Sequence, residues 1–92
     1  MGSEIRLDLV IEGRVQGVGY RYSAKMKAKS LGIRGSVKNL SDGSVFVTAQ
    51  GKKEEIENFV RWCYKGPTGT IVRKIEKISG KNEDFSEFRV HY

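Results

Sequence analysis

An apolar–polar alternation runs into a glycine-rich segment and out of it into helical spacing, and this junction constrains the chain more than any other feature. Ile5, Leu7, Leu9 and Ile11 alternate with Glu4, Arg6, Asp8 and Glu12, the period of a half-buried strand. Gly13-Arg14-Val15-Gln16-Gly17-Val18-Gly19 follows, with three glycines in seven residues. Tyr20, Ala24, Ala28 and Leu31 then recur at helical spacing, interleaved with Lys25, Lys27 and Lys29, and Gly32 supplies a stop. Arg21 falls in the first turn of that helix. Unpaired N–H groups there already carry partial positive charge, so a cation adds repulsion unless an anion is bound. A phosphate reverses the sign and is held by the N–H groups and the guanidinium together. The segment reads as a small phosphate cradle with its own counter-cation. The plainer alternative, a tight turn permitted by Gly17 and Gly19, leaves Arg21 unexplained.

The remaining pattern predicts a second strand over Ile33–Leu40 and a third over Ser44–Gln50, ended by Gly51. Asp42-Gly43 between them is the signal of a two-residue hairpin. Lys52 to Tyr64 reads as a helix with Ile56, Phe59, Val60 and Cys63 on one face, and Gly66-Pro67-Thr68-Gly69 breaks it. Ile71–Ile78 is a fourth strand whose imperfect alternation suggests a bulge. A charge-rich loop from Gly80 leads to a short last strand holding Phe88, Val90 and Tyr92. The order βαββαβ predicts an α+β, ferredoxin-like sandwich: an antiparallel sheet of four to five strands with two helices on one face. Residues 1–92 are expected to form a single domain, with no linker or repeat.

Composition removes several function classes. The single cysteine, Cys63, excludes an internal disulfide framework and an all-cysteine zinc site. The single histidine, His91, lies next to the C-terminus and makes both a His-Cys metal cage and a Ser-His-Asp arrangement implausible, so no metal or cofactor is expected. No apolar run approaches the ~20 residues of a membrane span, so no membrane partner is expected, and the absence of an apolar N-terminal segment points to the cytoplasm. The net charge of +6 fits nucleic acid, a small phosphorylated substrate, or a merely solvated surface. Cys63 is expected in the core and His91 on a surface strand; Trp62 is expected to pack at the edge of its helix.

The second candidate element is Val37-Lys38-Asn39-Leu40-Ser41-Asp42-Gly43. Asn39 reads as a turn-former, or as an uncharged amide able to donate to and accept from a water. Pairing of the third strand with both the first and the second would bring Asn39 near the end of the glycine loop. Taken together, Gly13-Arg14-Val15-Gln16-Gly17-Val18-Gly19-Tyr20-Arg21 and Lys38-Asn39-Leu40-Ser41-Asp42-Gly43-Ser44-Val45 resemble the acylphosphatase family. Gly51, Gly66-Pro67 and Phe88-Arg89-Val90 extend the resemblance over nearly the whole chain. Two positions depart from it: Ser36 stands where many relatives carry tryptophan, and Tyr20 replaces a frequent phenylalanine.

The resemblance implies a ferredoxin-like enzyme that hydrolyses the carboxyl–phosphate bond of small acyl phosphates without metal or cofactor. Arg21 would grip the phosphate with the backbone amides of Val15, Gln16, Gly17, Val18, Gly19 and Tyr20, and Asn39 would orient the attacking water. Inorganic phosphate is then a product or inhibitor, and a monomer acting without nucleic acid is expected. Two rivals belong to other classes. One is a nucleic-acid-binding module that stacks bases on Phe46 and Tyr92, although the aromatic pattern of an RRM is missing. The other is a phosphate-ligand sensor without turnover. The same module also forms the N-terminal part of hydrogenase-maturation proteins that handle carbamoyl phosphate. The chain's length and its lack of zinc-binding cysteine pairs favour a stand-alone enzyme.

Overall fold

The computed structural model describes residues 3–92. Seven elements follow one another: β1 (Glu4–Arg14), α1 (Tyr20–Ser30), β2 (Arg34–Asn39), β3 (Val45–Lys52), α2 (Lys53–Lys65), β4 (Ile71–Gly80) and β5 (Phe88–His91). They build one sheet in the order β4-β1-β3-β2-β5. α1 packs on β2 and β5, while α2 packs on β1, β3 and β4. This is the ferredoxin-like α+β sandwich that the pattern predicts. Period two explains which residues meet the helices. Leu9 pairs with Val47, and Val47 with Val37, so three fully buried side chains form one row across the sheet. The next row joins Ile75, Ile11, Val45 and Asn39, and carries an amide at its far end. Phe59 and Trp62 of α2 close the core from above, with Phe59 edge-on to Phe88 and Trp62 against Tyr20 at 5.5 Å. Trp62 therefore does pack at the helix edge.

Four details differ from, or sharpen, the sequence reading. First, β5 runs parallel to β2, so the sheet is mixed. The cause is the shortness of residues 81–87. β4 ends beside Arg6, at the end of the sheet where β2 begins, and β5 must start there too. The connection crosses that end held by one residue of each strand it passes. Arg6 pairs with Glu83 at 2.6 Å, Gln50 exchanges two hydrogen bonds with the Glu83 backbone, and Arg34 donates to the Phe85 carbonyl. Second, β5 ends at His91, leaving Tyr92 beyond it. Third, Gly51 continues β3 to Lys52 rather than ending it. Fourth, the β2–β3 turn is three residues long: Gly43 N–H donates to the Leu40 carbonyl, and Leu40 N–H to that of Ser44. Ser41-Asp42-Gly43 thus forms a tight turn with glycine at its positive-φ position, φ 95°. The irregularity anticipated in β4 lies opposite Gly13, where Arg73 is the unpaired residue. Side chain is excluded at Gly13, since a Cβ would stand 2.1 Å from the Ile71 carbonyl oxygen.

Candidate active site

The glycine loop is pinned at both ends and open in the middle. Val15 and Tyr20 are buried in the core, whereas Gly17 and Gly19 are exposed. Both glycines adopt left-handed backbone, φ 77° and 76°, which curls the chain so that it enters α1 with no side chain on the inside of the bend. Gly19 is the N-cap of α1, and no side chain caps the first turn. The Tyr20 hydroxyl donates to the Cys63 carbonyl at 2.7 Å. That carbonyl lies in the last turn of α2, and the residue four positions on is Pro67, which has no N–H to offer. Tyr20 supplies the missing donor and ties the start of α1 to the end of α2.

The two helices treat charge oppositely. α2 has Glu54 and Glu55 in its first turn and Lys65 in its last, matching its dipole. α1 has no acid in its first turn and carries Arg21 there. The ion pairs of the described residues join Arg6 to Asp8 and Glu83, Arg34 to Glu4, and Arg89 to Glu87; none includes Arg21. One Arg21 nitrogen donates to the His91 carbonyl at 3.1 Å, and its guanidinium carbon lies 4.9 Å from the Tyr92 ring centre. The fork is held in place without being neutralised.

A cavity of about 150 Å³ opens in front of it. Gln16, Gly17 and Gly19 of the loop line it, with Val15, Tyr20, Arg21 and Asn39, and Tyr22 and Tyr92 stand at its exposed side. A tetrahedral oxyanion fits within this volume. Asn39 faces this space because it shares the inward face of β2 with Val37, two residues earlier. Its side-chain oxygen is buried without a hydrogen-bond partner. The loop, Arg21 and Asn39 are thus brought to one cavity, as the strand pairing anticipates. Val18 is the exception: its side chain packs against the core and does not line the cavity.

Sequence reasoning missed the side chain of Gln16, of which it named only the backbone amide, and the approach of His91, Tyr92 and Tyr22 to the site. Gln16 uses its side-chain nitrogen to bridge the Leu40 and Ser44 carbonyls, both at 2.8 Å. His91 and Tyr92 reach the site because β5 runs towards it, which follows from where the short connection crosses the sheet. Tyr22 lines the cavity from a position the helical pattern leaves exposed. Other residues stay outside. Cys63 is buried, and burial pushes its thiol up to about 12, so it is inert core. Phe46 lies on the sheet face away from the helices, under the Lys38 ammonium, so it shares no surface with Tyr92 for stacking bases. Among the described residues no cluster of three His, Cys, Asp or Glu side chains could hold a metal ion. No helix among the described residues is long and apolar enough to cross a membrane.

The cavity, lined by loop, arginine and amide, thus opens on the helix-covered side of a ferredoxin-like α+β sandwich. Comparison with known proteins shows which family carries this arrangement. The acylphosphatase family model matches residues 7–90. An acylphosphatase from Acaryochloris marina is 42% identical over 89 residues, covering 97% of this chain and 92% of that one. Solved acylphosphatases from Bacillus subtilis (31% identity, TM-score 0.93, 96% of this chain and 99% of that one) and Coxiella burnetii (36%, 0.92, 96% and 93%) share the fold throughout. The chain belongs to the acylphosphatase family, a family of hydrolases.

Proposed function

We propose that this chain hydrolyses the carboxyl–phosphate bond of small acyl phosphates by direct attack of water. The observation that carries this reading is the buried, unpartnered Asn39 oxygen in the same cavity as the un-neutralised Arg21. An unsatisfied buried acceptor is costly unless something fills it. A water donating one hydrogen to Asn39 Oδ1 would keep a lone pair free for phosphorus. The loop amides and the Arg21 fork would hold the non-bridging oxygens and stabilise their charge as the bond loosens. The water oxygen–phosphorus bond forms as the phosphorus–acyl oxygen bond breaks. The leaving group is a carboxylate, which departs without protonation, so no general acid is needed. The residues lining the cavity include no Asp, Glu, His, Cys or Lys. We assign the water's proton to the phosphate itself rather than to bulk solvent, which leaves a carboxylate and dihydrogen phosphate as products.

Because residues of one chain complete the site, a monomer suffices, with a small phosphorylated molecule rather than nucleic acid as its partner. Inorganic phosphate should compete with substrate. The test is hydrolysis of benzoyl or acetyl phosphate with EDTA present. Arg21→Ala should abolish both turnover and phosphate binding, and Arg21→Lys should recover little, because a point charge cannot match two oxygens. Asn39→Ala should lower kcat by about a hundred- to a thousandfold while inorganic phosphate still binds. Phosphate binding by the wild type without any turnover would instead favour a sensor.

A further inference from the structure

Gln16 stands in the phosphate loop, yet its side chain has no donor left for a phosphate. Its Nε2 donates to the Leu40 and Ser44 carbonyls, both at 2.8 Å, and a primary amide has no further hydrogen. The two carbonyls also fix which way the amide faces, since its oxygen in that place would repel both. They belong to the residues directly after Asn39 and directly before Val45, and Asn39 and Val45 are partners across the β2–β3 ladder. The glutamine therefore grips the hairpin on both strands beside the rung that carries Asn39.

On the β3 side of this rung Val45 is held by its pairing with Ile11 of β1, but the β2 side has little other support. β5 pairs with β2 only as far as Lys38 opposite His91, so Asn39 has a strand neighbour on one side alone. The turn closes on itself through Asp42, whose carboxylate accepts from the Ser44 amide at 3.0 Å and the Ser44 hydroxyl at 2.5 Å. Those bonds shape the turn but do not tie it to the phosphate loop. Only the Gln16 side chain bonds loop to hairpin among the side-chain hydrogen bonds of the described residues.

We propose that Gln16 is a positioning residue: by bracketing the hairpin to the phosphate loop, it sets the Asn39 amide, and the water on it, at the distance from phosphorus that attack requires. The inference rests on the hydrolytic reading above. Its leverage is geometric, because misplacing a reacting group by about 1 Å costs about a hundredfold in rate.

The experiment measures kcat, KM and inhibition by inorganic phosphate for the wild type, Gln16→Ala, Gln16→Asn, Asn39→Ala and the Gln16→Ala/Asn39→Ala pair, with a thermal melt of each. Gln16→Ala should lower kcat by about a hundredfold and leave phosphate inhibition within about threefold. In the Asn39→Ala background it should lower kcat no further, since there is no amide left to position. Gln16→Asn, which keeps the donors on a shorter stem, should fall between, and it carries the same comparisons should Gln16→Ala not fold. Loss of phosphate affinity in step with kcat, or losses that multiply in the pair, would overturn the proposal, because both describe a collapsed cradle. A wild type that hydrolyses no acyl phosphate defeats the functional reading; a wild type that does, beside a Gln16→Ala variant with full kcat, defeats the positioning role alone.

Discussion

Strand period turns Asn39 towards the helices, two residues after Val37, where an apolar residue would ordinarily sit. Evolution of a core would favour valine there, and the amide is tolerated because the cavity lies beside it. Neutrality matters as much as the acceptor. Asn39→Asp keeps an acceptor oxygen but adds a negative charge next to a phosphate dianion. Inorganic phosphate inhibition should weaken by at least about tenfold at neutral pH, equivalent to about 1.4 kcal/mol. Affinity should return as the pH is lowered and the new carboxyl takes up a proton, and this should begin above the ordinary carboxylate range because bound phosphate raises its pKa. Competition assays between pH 4 and 8, a range of about four units around that transition, check this. A variant that binds phosphate as tightly as the wild type at neutral pH would mean that Asn39 does not face the phosphate.

At the scale of elements, the end of α2 shows how a local sequence signal acquires a distant partner. Gly66-Pro67 reads from sequence as a helix stop and nothing more. In the fold, the proline leaves the Cys63 carbonyl without its usual donor, and the Tyr20 hydroxyl fills the vacancy from across the helix pair. Tyrosine at position 20 is therefore more than a conservative stand-in for phenylalanine. Tyr20→Phe should lower stability by about 1–3 kcal/mol, the usual penalty for a buried carbonyl left unpaired, seen as a lower urea midpoint at unchanged slope. An unchanged midpoint would mean that water reaches the carbonyl. What was legible in the sequence divides along this line. Both helices, β1 and the hairpin follow from period and turn chemistry, and Arg21 from its clash with the helix dipole. Asn39 was visible as a candidate, though only the ladder Asn39–Val45–Ile11 explains why its oxygen is buried. The parallel course of β5 depends on where the 81–87 connection crosses the sheet, and the roles of Gln16 and Tyr92 depend on contacts between segments far apart in the chain. Such contacts leave no local pattern.

On the scale of the whole molecule, the two helices meet over a neutral, buried pair of acidic groups, the Tyr20 phenol and the Cys63 thiol. Burial pushes both upward, the thiol from 9.0 to about 12 and the phenol above its ordinary value. In the unfolded chain each would release its proton near its ordinary value, whereas in the folded chain each retains it. Above pH 9 the unfolded state therefore binds fewer protons than the native one, and stability falls as the pH rises. The contribution of the pair is complete below about pH 9, where both groups are protonated in either state, and it is lost progressively towards about 12. Between pH 8 and 10 the loss should be about 1–2 kcal/mol, the thiol giving most of it. Urea titrations at intervals across that range measure it. Cys63→Ala should start less stable, having lost a buried side chain, but its stability should decline less steeply with pH, and Tyr20→Phe should remove the smaller remaining share. Parallel declines in the wild type and Cys63→Ala would show that the thiol is no more protected in the fold than in the open chain, and would contradict its place between the helices.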